Sequence, residues 1–124
     1  MLTQRSPHEA YRRVEFDARV IGASSDQLVL VCYEQLGAAL ARALHAAAAG
    51  DNREKSAALT RALTAIAALQ MGIDPVAGIA PVLGQFYGAA RAAVLDCAIE
   101  FRPEVLIGLR ADFAEIARSF AAAG

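Results

Sequence analysis

His45 is the side chain whose type and place could do chemistry. It falls in "LHAAAAG", on the polar side of a helical stretch and five residues before Gly50. An exposed helical imidazole can take a phosphoryl group, provided a cation stands close to hold it. No lysine lies near His45 to do so. The plainer use of a histidine close to a helix C-terminus is as a partner of the helix dipole. His8 carries no such pattern. Cys32 and Cys97 sit inside apolar helical patterns and read as small core thiols in a reducing compartment. A di-iron bundle needs a glutamate with histidine three residues on, so that both ligands face inward. Glu9, Glu15, Glu34, Glu54, Glu100, Glu104 and Glu115 all lack that partner. No haem attachment motif, zinc spacing or glycine-rich phosphate loop is present. The reading is of a protein that is not an enzyme and has no catalytic, cofactor-binding or metal-binding residues.

Composition points the same way. The chain has 124 residues, of which 56% are apolar and 20% charged, with a net charge of −1. That is room for one domain with one core, and too apolar for a disordered chain. Basic residues are scattered, so no electrostatic footprint for nucleic acid exists. No apolar run reaches the roughly 18 residues of a membrane span. The leading "MLTQRSPHEAYRR" lacks an apolar signal region, and the cytoplasm is the expected location.

The elements that position these residues are helices, read from their start and stop signals. Ser6, Pro7 and Glu9 form a capping box with proline at the first helical position, but the charged segment behind them is marginal alone. Gly22 breaks the pattern. A first long helix starts at Ser24, boxed with Gln27, and runs to about Ala49, where Gly50 terminates it. Asp51 caps a second helix, Glu54 closes its box, and Gly72 ends it. A third is expected from near Ile79 to about Phe101. Arg102-Pro103 interrupts the chain, and a fourth runs from Pro103 to about Ala121. "LVLVCY" could pass as a buried strand, but its period continues through Leu36, Leu40 and Leu44, beyond strand length. The expected fold is all-α: an antiparallel four-helix bundle over 24–121, preceded by a lid segment over 1–23, as a single domain over 1–124.

Turning each helix by about 100° per residue separates core faces from the rest. In the first helix Leu28, Val29, Cys32, Tyr33, Leu36, Leu40 and Leu44 share one side. Val31 falls among the polar set and Leu30 at its edge. In the third, Ile79, Val82, Leu83, Phe86, Ala90, Val94, Cys97 and Phe101 are core, while Leu95 and Ile99 lie opposite. Gly84, Gly88 and Ala92, four apart, form a shallow trough leading to them. Two readings stand. The surplus residues are ordinary surface apolars, or lie beneath the N-terminal segment. Alternatively they form a groove for an apolar partner, where four buried side chains would gross on the order of 6–12 kcal/mol, part of it consumed by ordering the partner.

The order of features resembles the FliS family of flagellar secretion chaperones. The stretch "AYRRVEFDARVIGASSDQLVLVCYEQLGAAL" carries the "AY" at Ala10-Tyr11, a small-residue loop at Ala23-Ser24-Ser25, and the block Leu28 to Glu34. In the next block Ile73-Asp74, Gly78, Leu83, Phe86 and Tyr87 fall in register. The likeness spans roughly residues 10–120. It departs in lacking tryptophan, with Phe120 near the usual place, and in a Phe-Tyr pair where Leu-Tyr is usual. The resemblance implies a helical bundle that binds the disordered C-terminal segment of flagellin around its outside, blocks premature polymerisation and presents the client to a component of the type III export gate. It also implies an N-terminal lid bearing Tyr11. The partner-binding residues expected on this reading are Tyr11, Leu30, Val31, Gly84, Gly88, Leu95 and Ile99, with Tyr33 and Tyr87 structural. A histidine phosphotransfer bundle using His45 is the alternative, and a bundle that closes the same groove in a weak homodimer is a third.

Overall fold

The computed structural model describes residues 25–72 and 80–123. They form four helices: α1 (Ser25–Ala48), α2 (Asn52–Gly72), α3 (Ala80–Ile99) and α4 (Pro103–Ala123), with no strand among the described residues. The expected lid over 1–23, with Tyr11, lies outside the described residues, as does the cap at Ser24. The boundaries follow the sequence signals. Gly50 has φ +71°, the left-handed angle a helix terminator needs. The Asp51 carboxylate accepts the Glu54 backbone N–H at 3.0 Å, as a cap should. The third helix ends at Ile99, two residues before the expected Phe101. Pro103 disfavours helical angles at Arg102, and the Arg102 carbonyl accepts both the Val105 N–H at 3.1 Å and the Cys97 thiol at 3.7 Å.

Alanines set the closeness of packing. Ala39, Ala43 and Ala46 of α1 and Ala58, Ala62, Ala65 and Ala68 of α2 are buried. Small side chains allow two helix axes to approach closely, and α1 against α2 is the most extensive interface. Joined by a three-residue link, the two must run antiparallel. Above this pair, α3 packs on α2 and α4 on α1, while contact between α3 and α4 is slight. Between those two lie large rings: Phe86 and Phe113 have centroids 4.8 Å apart. Bulk there props the helices apart where alanine elsewhere lets them close.

The four helices thus form a ring, α1 and α3 facing each other diagonally. Tyr33 and Tyr87 bridge that diagonal by a hydrogen bond between their hydroxyls. Phe113 stacks almost parallel to Tyr87, at 6.2 Å. Around this aromatic centre, Leu36, Leu40, Ile66, Val94 and Leu106 are fully buried. Tyr33 is a core residue, as the helical period expects, and Tyr87, absent from the core face expected of its helix, is buried as well. Val82 is not: it is 65% exposed. It sits on the first turn of α3, at the margin of the buried arc, where the slight contact with α4 leaves it uncovered.

Candidate partner-binding surface

Slight contact with α4 leaves α3 a wide outward arc. Helical turning places Gly88, Ala92 and Ile99 along the middle of that arc, with Gly84 and Leu95 on one border and Val82 and Ala89 on the other. Ile99 is 89% exposed and Leu95 37%. Gly84 is half-buried, and Gly88 and Ala92 are exposed. Only Gln85 and Asp96 interrupt the apolar strip. A Cβ added at Gly84 or Gly88 would meet no atom within 4 Å. Packing inside the bundle therefore does not require glycine at either place, although each costs a helix about 0.8–1 kcal/mol relative to alanine. A foreign backbone could approach closely along this line.

Leu30 and Val31 stand differently. Both are half-buried and packed against the core. The helical wheel puts Val31 among polar residues, but α1 is flanked by α2 and by α4, so its buried arc is broader than one stripe. Nor are they near Leu95 and Ile99. Tyr33 and Tyr87 meet at one level of the bundle. From there Leu30 lies three residues towards one end, and Leu95 and Ile99 lie eight and twelve towards the other. At 1.5 Å per residue the two sets are offset along the axis by roughly 15–25 Å. They also lie on helices whose backbones are not in contact. These residues do not line one pocket; a single partner could meet both only by wrapping around the bundle.

The sites of possible chemistry are quiet. His45 is exposed in the last turn of α1, where a cation opposes the helix dipole. Its carbonyl accepts the Ala49 N–H at 3.1 Å. Cys32 and Cys97 are free and buried. Burial pushes the Cys32 thiol up to about 12, so at neutral pH it is a protonated core group and a poor nucleophile. No cluster of metal-binding side chains occurs among the described residues, and no described helix is long and apolar enough to cross a membrane.

A second surface feature is hidden from the helical period. Where α3 and α4 diverge, an open cleft of about 310 Å³ is lined by Phe86, Asp112, Glu115, Ile116 and Ser119. Phe86 and Ile116 look like ordinary core residues by period, and each does pack on the core. Only the divergence of the helices leaves one side of each open. The sole signal along the chain is Asp112, Glu115 and Ser119, which follow one another at helical spacing beside Ile116.

Compared with known proteins, residues 7–124 match the family model described as Flagellar protein FliS. None of the curated proteins compared with the chain matches it.

Proposed function

Because the chain belongs to the flagellar protein FliS family, a family of flagellar export chaperones, we propose that it chaperones a flagellin. It binds the client's disordered C-terminal segment in the cytoplasm, prevents premature polymerisation and delivers it to a component of the type III export gate. The observation that carries this reading is the outward face of α3. There Gly88, Ala92, Leu95 and Ile99 leave an apolar strip that no described residue covers. Contiguous exposed apolar surface of this kind marks interaction sites.

Gly84 and Gly88 form the floor on which a client helix lies, and Leu95 and Ile99 grip its apolar side. Leu30 and Val31 serve a second stretch of the same client, which wraps round the bundle to reach them. Tyr11 acts as a removable lid on part of that path. Fully covering Ile99 would contribute about 1.5–3 kcal/mol. A client that folds on binding spends a good part of such gains on its own ordering, so several anchors are needed.

The test is titration of the full chain with a synthetic peptide covering the C-terminal segment of a flagellin from the same cell. A one-to-one complex with gain of helicity supports the reading. No complex at high micromolar concentration would remove it.

A further inference from the structure

The cleft between α3 and α4 has a chemistry that the strip on α3 lacks. Its floor is apolar. The Phe86 ring is held 4.8 Å from Phe113, and Ile116 packs on the core. Its rim is acidic. Asp112 and Glu115 are exposed, and neither is paired: the ion pairs among the described residues are Arg42–Glu54, Arg61–Glu54 and Arg102–Glu100. Ser119 closes the rim. Its hydroxyl donates to the Glu115 carbonyl at 3.2 Å and keeps its lone pairs for an incoming donor. The volume, about 310 Å³, lies at the small end of the range for a binding pocket.

We propose that this cleft is a docking site for a basic amphipathic segment of a partner protein, presenting one bulky apolar side chain flanked by arginine or lysine a helical turn away. The apolar side chain enters between Phe86 and Ile116, and the cations meet Asp112 and Glu115. Nucleic acid and anionic lipid are unsuited, because the rim repels phosphate. A metal ion is unsuited too, because two exposed carboxylates and a serine are a poor donor set. An arginine guanidinium, with its planar fork of donors, can bridge a carboxylate and the Ser119 oxygen. This site is separate from the outward face of α3 and does not depend on a flagellin client.

Two synthetic peptides test it by titration into the isotopically labelled full chain, followed by amide chemical shifts. Each is a short alanine–glutamine helix with a central leucine. One carries arginine a turn away on each side, the other glutamate. The arginine peptide should shift the amides of Phe86, Ile116 and Ser119, and should bind at least tenfold more tightly than its twin. The double variant Asp112→Asn/Glu115→Gln changes only exposed side chains and keeps the fold. It should lose that preference. The proposal is overturned if neither peptide binds, if both bind equally, if the shifts fall at Leu95 and Ile99 instead, or if the double variant binds unchanged. Sedimentation showing two copies of the chain closed over the cleft would overturn it as well.

Discussion

Tyr33 and Tyr87 join hydroxyl to hydroxyl across the diagonal of the bundle, linking α1 to α3, two helices whose backbones are not in contact. Both side chains are almost wholly buried. Tyr33→Phe would leave the Tyr87 hydroxyl in an apolar centre without its partner, at a cost of about 1–3 kcal/mol. Adding Tyr87→Phe removes the stranded group, so the double variant should be less destabilised than the sum of the two single changes. Urea unfolding of the four proteins of the cycle measures this. Strict additivity would mean that the hydroxyl pair is not coupled.

Burial also gives this core a limit in alkali. The Cys32 thiol rises from 9.0 to about 12. Tyr33 is raised by burial, partly offset by the hydrogen bond from Tyr87, and Tyr87 is raised by burial and by Tyr33. In each case the folded state keeps its proton after the unfolded chain has released one. Stability is therefore fully present below the unfolded value and falls as pH rises above it. For Cys32 the fall runs from pH 9.0 towards 12, at about 1.4 kcal/mol per pH unit. Cys32→Ala should flatten the decline by that slope. Urea midpoints at several pH values between roughly 8 and 11 would reveal it, and an unchanged slope would rule out the buried thiol as a source of the decline.

Two glycines should respond in opposite directions to alanine. Gly50 has φ +71°, an angle that costs an L residue roughly 1 kcal/mol or more, so Gly50→Ala destabilises. Gly88 is helical, and a Cβ there would meet nothing within 4 Å. Gly88→Ala should therefore raise stability by about 0.8–1 kcal/mol. Thermal unfolding distinguishes the two by the sign of the shift. A bulky change, Gly88→Leu, should keep the fold and obstruct a helix lying on α3.

Ile99 and Leu36 are both large and aliphatic, yet they should separate stability from binding. Leu36 is fully buried, and Leu36→Ala should cost about 2–5 kcal/mol. Ile99 is 89% exposed, so Ile99→Asp should change stability by less than about 0.5 kcal/mol. It should weaken a flagellin peptide at least tenfold. Full affinity in Ile99→Asp would move the client off this end of α3.

Local signals were legible in the chain itself. Gly50, Asp51 and Glu54 mark one helix end and the next beginning, and the structure has the left-handed glycine and the capping bond at those residues. Pro103 marks the last link. The helical period placed Tyr33, Leu36, Leu40 and Val94 in the core, where they lie. These features follow from the sequence because a cap or a stripe depends on residues only a few positions apart. What the tertiary structure decided was how far each helix stands from its neighbours. Alanine draws α1 and α2 together while Phe86 and Phe113 prop α3 and α4 apart. That difference exposes Val82 and opens the cleft beside Ile116, while the two neighbours of α1 press Val31 against the core and the levels at which the helices meet set Leu30 far from Ile99. Each helix's wheel shows which residues could be buried, but the arc that is buried depends on the bulk contributed by another helix, distant along the chain.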